Sequence, residues 1–138
     1  MYDHLQHLGK DVSIPDSPNV ETLDAIEFVS TVKGGEEERC DCTLTLEVED
    51  FTSLCPVTGQ PDHGALRIDY IPDGRIIETK SLKLYLQAYR NARTFVEHAV
   101  RDIRDDLFSV LRPKYINITG IFTSRGGIKT KLILSRSK

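Results

Sequence analysis

The sequence has no tryptophan, one methionine and three cysteines among its 138 residues. An odd and small number of cysteines argues against a disulfide framework and predicts at least one free thiol in a reducing compartment. No apolar run approaches the roughly 18 residues that a membrane-spanning helix needs, and the polar N-terminus lacks the apolar core of a signal peptide. We therefore expect a cytoplasmic protein that does not contact a membrane.

An excess of positive charge is also missing. Eighteen Lys and Arg residues stand against 21 Asp and Glu residues, which gives a net charge of −3. This balance disfavours a partner that is bound mainly through a phosphate backbone. The hydrophobic share of 39% and the charged share of 28% are close to globular averages. The composition therefore predicts one ordinary globular domain, able to bury roughly two thirds of the surface of the unfolded chain.

The N-terminal residues 1–22 form a segment of different character. They are rich in Asp, Ser, Pro and His and show no sustained periodicity. Such a segment is typical of an arm that is loose or that becomes ordered only against a partner subunit. We expect no core residue in this arm, and we assign residues 23–138 to a single domain.

Alternating apolar and polar residues predict strands in the first half of the chain. The first strand places on one face Cys40, Cys42, Leu44, Leu46 and Val48. Residues 51–64 follow, with two prolines and two glycines, and predict a loop that cannot form a regular element. A second strand over 65–70 points Leu66, Ile68 and Tyr70 inward, and the turn 72–74 leads into residues 75–77 as a β-hairpin.

Two helices and a second hairpin complete the predicted elements. Good helix formers from Ser81 to about residue 91 predict a helix capped by Thr79 or Ser81. Apolar residues at spacings of three and four predict a second helix from about Thr94 to Pro113. Residues 115–123 and 128–134 then predict two strands joined by a turn. The order β, β, β, α, α, β, β is typical of an α+β fold in which two helices cover one face of an antiparallel sheet. Its unpaired sheet edges favour a ring-forming homo-oligomer.

Cys55 and Asp62 lie seven residues apart in the segment CPVTGQPD. If the loop folds back, the thiol and the carboxyl can supply a nucleophile and a proton donor in one pocket. A thiol with the ordinary pKa of about 8.5 is only about 3% ionised near neutrality, so this chemistry requires a lower pKa. The alternative is a buried thiol beside a solvated carboxylate, and the spacing alone leaves both interpretations open.

Lys80 and Lys83 lie where a strand becomes a helix, and helix N-terminal amides beside lysines suit a phosphate or another anion. Arg125 and Gly126 can also hold a phosphate, because glycine lets the backbone approach a ligand closely. Ordinary helix capping, a solvated lysine face and a plain hairpin turn are the alternatives for these residues.

Glu97 lies at the border of the apolar stripe of the second helix. A carboxylate there can accept two hydrogen bonds from the N1–H and the exocyclic amine of a guanine-like base. It can equally pair with Arg93 or Arg101, which are four residues away on either side.

A metal site is the less favoured interpretation of the remaining cysteines. Cys40 and Cys42 share a strand face, where His63 or His98 could complete a ligand set. The Cys-x-x-Cys spacing of zinc sites is missing, however, so we expect plain packing and no metal.

Three segments together resemble a known family. They are FTSLCPVTGQPD, YIPDGRIIETKSLKLYLQAYRN and FTSRGGI. They are similar to the short, single-fold form of the 7-cyano-7-deazaguanine reductases, the nitrile reductases of queuosine biosynthesis and hence of tRNA modification. The resemblance runs from about residue 51 to residue 128, and ETKSLKLY fits the signature of that family. It implies the tunnelling fold (T-fold), with residues 23–138 as the catalytic domain, in a pentamer or decamer whose sites lie at subunit interfaces.

The resemblance also implies roles for individual residues. Cys55 is the nucleophile that adds to the nitrile carbon and forms a covalent thioimide, and Asp62 protonates the nitrogen. Two hydrides from NADPH then give 7-aminomethyl-7-deazaguanine. The substrate contacts of the family correspond to Ile77, Glu78, Thr79, Val96 and Glu97. Its cofactor contacts correspond to Thr79, Lys80, Lys83, Arg125 and Gly126.

Val96 departs from the family pattern, which has a His immediately before the substrate-reading Glu. His98 is no simple replacement, because two helical residues rotate a side chain by about 200°. Two alternatives stay open, and the departure motivates the first of them. One is an amidinotransferase-type relative that adds ammonia to the nitrile base in nucleic acid through the same thioimide, without NADPH. The other is a non-enzymatic purine-binding module.

Overall fold

Six strands and two α-helices are formed by residues 2–29 and 42–138, the part of the chain that the computed structural model describes. In chain order they are β1 (Ala25–Phe28), β2 (Leu44–Leu54), β3 (Pro61–Ile71), β4 (Gly74–Ile77), α1 (Thr79–Gln87), α2 (Val96–Leu111), β5 (Tyr115–Phe122) and β6 (Lys131–Ser137). Short 3-10 turns at Val20–Thr22 and Ala88–Asn91 precede β1 and follow α1. None of the helices in these ranges is long and apolar enough to cross a membrane.

The main sheet is antiparallel and has the strand order β2-β3-β5-β6. Both helices pack on one face of it. On that face β3 buries Leu66, Ile68 and Tyr70, as predicted, while Arg67 and Asp69 on the other face form an ion pair at 3.0 Å. The α+β prediction, with an antiparallel sheet covered on one face by two helices, is therefore confirmed.

Helix α2 supplies most of the helical side of the core. Its buried stripe is Ala99, Val100, Ile103, Leu107, Phe108 and Leu111, and each large apolar side chain of this kind contributes about 1.5–3 kcal/mol when it is buried. The helix ends at Leu111 because Arg112 adopts a left-handed conformation with φ of 48° and Pro113 cannot continue the helix.

The loop predicted over residues 51–64 is wrong at both of its ends. Strand β2 continues to Leu54 and β3 begins at Pro61, so only residues 55–60 form the connection. Proline is tolerated because it is the first residue of its strand. Gly64 is required in β3, since a Cβ atom there would lie 2.6 Å from the Ile121 carbonyl oxygen and from the Phe122 ring.

The predicted hairpin between residues 65–70 and 75–77 is also wrong. Strand β4 pairs instead with β1, a strand too short to show periodicity, in a separate two-stranded sheet. In a hairpin, the backbone N–H of Ile77 would donate to a carbonyl of β3. Here it donates instead to the side-chain hydroxyl of Tyr70, at 3.1 Å.

The N-terminal arm packs against the domain, and the expectation that it contains no core residue is wrong at Leu5, which is 2% exposed. The neighbouring Gln6 donates to both carboxylate oxygens of Asp24, from its backbone N–H at 2.7 Å and its side chain at 2.8 Å. A buried carboxylate thus holds this part of the arm to the start of β1. Cys40, which the sequence places in the first predicted strand, lies outside the described residues.

Candidate active site

A bulge in β2 turns the end of this strand toward the helices. Val48 pairs with Leu66 and Phe51 pairs with Gly64, so two residues of β2 lie opposite a single residue of β3. Without the extra residue, Phe51 would point away from the core. With it, Phe51 and Ser53 are buried and Cys55, two positions further on, opens into a cleft beside α2.

The connection between β2 and β3 is a closed turn. The Cys55 N–H donates to the Gln60 carbonyl at 2.8 Å, and the Gly59 N–H donates to the Cys55 carbonyl at 2.9 Å. Gly59 has a φ of 72°, which glycine adopts without strain. The turn therefore brings Cys55 and Asp62 to the same end of the β2–β3 pair.

Both residues line one cleft of about 290 Å³. Its walls combine aromatic and aliphatic side chains with a few polar groups, which is typical of small-molecule sites. The lining residues are Cys55, Asp62, His63, Phe95, Val96, Glu97, Phe122, Thr123, Arg125, Ile128 and Thr130. Of the predicted site residues, Cys55, Asp62, Val96, Glu97 and Arg125 are therefore brought together.

The start of α2 is tied to the cysteine strand. The Leu54 N–H donates to the Ala92 carbonyl at 2.9 Å, and the Thr94 N–H donates to the Leu54 carbonyl at 3.0 Å. The Arg93 guanidinium packs against Gly59, and a Cβ atom on Gly59 would lie only 2.8 Å from it. These contacts fix the position of Glu97 relative to Cys55. Arg101 pairs with Asp102 and Arg93 packs on the turn, while Glu97 is among the residues that line the cleft.

The turn lowers the pKa of the Cys55 thiol to about 7. The largest cause is a hydrogen bond from the Thr58 side chain, followed by the backbone N–H groups of Thr58 and Val57. Burial raises the pKa and so opposes this effect, while a hydrogen bond from Arg125 adds to it. About half of the thiol is then ionised at pH 7, which meets the requirement for a nucleophile.

Asp62 and Arg125 form an ion pair at the mouth of the cleft. Nη1 of Arg125 donates to Oδ1 of Asp62 at 2.5 Å. The Asp62 side chain is 11% exposed, whereas the Arg125 side chain is 51% exposed. A charged hydrogen bond of this kind is among the stronger ones in proteins.

The other predicted contacts lie around the start of α1. Ile77 and Glu78 are buried, and the Glu78 carboxylate caps the helix by accepting hydrogen bonds from the backbone N–H groups of Lys80 at 2.6 Å and Ser81 at 3.0 Å. The predicted cap at Thr79 or Ser81 is therefore wrong. Two of the helix amides expected to hold an anion are already occupied by a carboxylate.

Thr79 and Lys83 line a second cleft, of about 390 Å³, between β2 and α1. Arg90 lies in the same cleft. The Lys80 ammonium contacts the carbonyl of Lys10 in the arm. Within one chain, the predicted site residues thus form two groups, one around Cys55 and one around the start of α1. Gly126 lies in the turn after Arg125, with a φ of 58° and open space beside it.

Thr58, which acts on the Cys55 thiol, was not identified from the sequence as a residue of the site. Thr58 lies three residues after Cys55 within the turn. A hydroxyl at this spacing can form a local hydrogen bond with the thiol, and this is the signal by which the sequence could have identified it. For the metal interpretation, residues 2–29 and 42–138 contain no group of three His, Cys, Asp or Glu side chains that could hold an ion.

Comparison with known proteins identifies the family. A family model described as QueF-like protein matches residues 61–138. An NADPH-dependent 7-cyano-7-deazaguanine reductase of Bacteroides thetaiotaomicron is 43% identical over 126 residues, which are 91% of this chain and 79% of the relative. Enzymes with the same name from Parabacteroides distasonis and Helicobacter pylori are 60% and 52% identical over 88 and 91 residues. These matches cover 64% and 66% of this chain, and 56% and 62% of the relatives.

A solved structure shares the fold. The apo form of an archaeosine synthase, QueF-Like, superposes with a TM-score of 0.63 at 19% identity, over 67% of this chain and 91% of the other. At this identity the likeness shows the fold alone, and it agrees with the T-fold prediction. The family resemblance is confirmed by a model that matches more than half of the chain and by a relative aligned over nearly all of it. The chain belongs to the QueF-like family.

Proposed function

We propose that this protein reduces the nitrile of 7-cyano-7-deazaguanine to the primary amine, using two molecules of NADPH and a covalent thioimide on Cys55. The observation that carries the proposal is the cleft in which a thiol with a pKa of about 7 lies together with Asp62 and Glu97. The family relatives named as NADPH-dependent reductases of this nitrile support the substrate and the cofactor.

In the first step, the Cys55 sulfur adds to the nitrile carbon. A C–S bond forms, one C–N π bond breaks, and the nitrogen receives a proton from Asp62. No electrons are exchanged with a cofactor, so this step needs only the nitrile and the two side chains. It converts an unreactive linear nitrile into a C=N group that can accept a hydride.

In the reductive steps, NADPH held beside the start of α1 would supply one hydride to the carbon in each of two successive reductions. Cys55 leaves as the C–S bond breaks after the first reduction, which regenerates the thiol and gives an imine. Asp62, reprotonated from solvent, supplies the second proton to the nitrogen. In total the carbon gains two hydrides, the nitrogen gains two protons, and two NADP⁺ are released.

The second cleft has side chains that fit the cofactor. Lys83 and Arg90 supply cations that suit the phosphates of NADPH, and Thr79 supplies a hydroxyl. The helix amides contribute less, because Glu78 occupies two of them. Lys80, Arg125 and Gly126 belong to the same proposed binding set, as the resemblance implies.

Recognition of the base falls to Glu97, whose carboxylate can accept hydrogen bonds from the N1–H and the amine of a guanine-like ring. Val96 adds an apolar contact beside it. Ile77, Glu78 and Thr79 complete the proposed substrate contacts. In this proposal residues 23–138 are the catalytic domain and residues 1–22 are an arm that packs against it.

The two groups of site residues support an assembly in which neighbouring subunits share each site. The α1 group of one subunit would then close the Cys55 cleft of the next. Strands β2 and β6 form the edges of the main sheet, and unpaired edges are surfaces on which subunits can pair. We therefore propose a homo-oligomeric ring, a pentamer or two stacked pentamers.

The test combines two measurements on the full chain. Incubation with the nitrile alone should add its full mass to the protein, and this adduct should disappear in Cys55→Ala. Addition of NADPH should then consume two cofactors for each amine released. An adduct that never forms, with no cofactor oxidation, would overturn the proposal. A product that carries ammonia on a modified nucleic acid, formed without NADPH, would support the amidinotransferase alternative instead.

A further inference from the structure

Arg125 lies beside both groups that take part in thioimide formation. Its guanidinium donates to Asp62 Oδ1 at 2.5 Å, and it is the smallest of the causes that lower the pKa of the Cys55 thiol. All three side chains line the same cleft. We propose that Arg125 is a catalytic residue of the cofactor-free step, in which it stays paired with the negative charge as this charge moves from the Cys55 sulfur to the Asp62 carboxylate. This role is separate from any contact of Arg125 with the cofactor, and it rests on the proposed function.

The charge balance of the step explains why such a residue is needed. Before addition, the thiol passes its proton to Asp62, so that the sulfur carries the negative charge and Asp62 holds the proton that the nitrogen will receive. After addition, the sulfur is neutral in the thioimide and Asp62 is a carboxylate. A guanidinium has five N–H donors in a rigid plane, so one cation can face both atoms without moving far. It therefore offsets the charge before and after the proton is transferred.

The backbone fixes Arg125 in this place. Its N–H donates to the Ile128 carbonyl at 2.9 Å, and the Ile128 N–H donates back at 3.0 Å. Gly126 and Gly127 between them have φ values of 58° and 79°, which form a tight hairpin turn that favours glycine. On the side toward β3, the Thr123 N–H donates to the His63 carbonyl at 2.9 Å. The turn is thus anchored beside the strand that carries Asp62.

Other titratable and charged groups lie in or near the same cleft. The titratable residues His63 from β3 and Glu97 from α2 line it, and Arg93 packs nearby on the turn at Gly59. Glu97 adds a second carboxylate to a cleft that already holds Asp62 and the thiolate. A cation shared by the sulfur and Asp62 offsets the repulsion between these like charges.

The test measures adduct formation without NADPH, so that contacts with the cofactor cannot contribute. We expect Arg125→Gln to slow adduct formation by about 100-fold, as the loss of one charge-stabilising donor does in other enzymes. Arg125→Lys should recover about tenfold of this loss, because the charge returns without the planar donor pair. Arg101→Gln is the matched control: this exposed arginine pairs with Asp102 on α2, and its loss should leave the rate unchanged.

A second measurement does not depend on the nitrile. The pH profile of Cys55 alkylation by iodoacetamide, followed on the Cys55 peptide by mass spectrometry, should shift to higher pH in Arg125→Gln and less in Arg125→Lys. If adduct rate and alkylation profile are both unchanged while only the KM for NADPH rises, Arg125 serves the cofactor alone and the inference is wrong. If the wild type forms no adduct, the proposed function fails, and the alkylation profile still decides whether Arg125 stabilises the thiolate.

Discussion

Ser53 lies directly opposite Asp62 in the β2–β3 pair, and its buried hydroxyl has no hydrogen-bond partner in the described part of the chain. Ser81 is equally buried, yet its hydroxyl donates to the Glu78 carbonyl at 2.7 Å and accepts from the Asp24 N–H at 2.9 Å. The two serines therefore form a matched pair.

The first prediction compares Ser53→Ala with Ser81→Ala. Removing an unpartnered hydroxyl relieves a desolvation cost, so Ser53→Ala should keep or raise the free energy of unfolding by up to about 1 kcal/mol. Ser81→Ala leaves a buried N–H without its acceptor and should lower this free energy by about 1–3 kcal/mol. Urea unfolding of both variants checks the difference. Equal losses would show that Ser53 makes a bond that stabilises the fold.

The second prediction concerns Thr58, whose side chain is the largest cause of the lowered Cys55 pKa. Thr58→Val removes the hydroxyl and keeps the shape, so the pKa of Cys55 should rise above about 7 and a smaller fraction of the thiol should be ionised at neutral pH. The alkylation profile of Cys55 should move to higher pH, and adduct formation at pH 7 should slow accordingly. Thr58→Ser keeps the hydroxyl and is the control. A profile that does not move in Thr58→Val would assign the effect to the backbone N–H groups.

Much of this site could be predicted from the sequence, because its chemistry lies in local segments. Cys55 and Asp62 flank a turn of Pro, Thr and Gly, and the structure brings them into one cleft. The helix stripe that positions Glu97 follows from spacings of three and four. Each of these features depends on residues that are near one another along the chain.

The features that could not be predicted depend on tertiary contacts. Alternation read onward from Val48 points Phe51 away from the core, and only the bulge in β2 reverses this. Proline and glycine in residues 51–64 suggested a loop, yet Gly64 lies within β3. Glycine is needed at this strand position because the Phe122 ring packs where a Cβ atom would be. The pairing of β4 with β1 joins segments about fifty residues apart, and neither strand has a periodic pattern.

The third prediction tests whether subunits share each site. Cys55→Ala removes one group of site residues and Lys83→Ala weakens the other, so each variant alone should have little activity. If a site takes Cys55 from one subunit and Lys83 from its neighbour, random mixing of the two refolded variants should restore about a quarter of the wild-type activity. Mixing Cys55→Ala with Asp62→Asn is the control, since both changes lie in the same cleft and no complete site can form. Equal activity in the two mixtures would contradict shared sites.

The last prediction concerns a half-buried carboxyl between the helices, that of Asp106. The Tyr85 hydroxyl donates to Asp106 Oδ2 at 2.6 Å and lies 3.3 Å from the Tyr89 hydroxyl. Burial raises the pKa of Asp106, although the bond from Tyr85 opposes this effect. A raised pKa in the folded state means that ionised Asp106 costs stability. The contribution of Asp106 to the free energy of unfolding is fully present below its pKa in the unfolded chain, near 3.8. This contribution is lost as the pH rises through the pKa of Asp106 in the folded protein.

Asp106→Asn keeps an oxygen that can accept from Tyr85 and removes the charge. The variant should therefore be more stable than the wild type at pH 7, and this advantage should shrink as the pH falls and Asp106 becomes protonated. Tyr85→Phe removes the donor while it leaves the carboxyl half-buried, so it should lower stability more at pH 7 than in acid. Urea unfolding at several pH values between about 3.5 and 7 measures both differences. An advantage of Asp106→Asn that stays constant with pH would show that the ionised carboxylate is not what costs stability in this cluster.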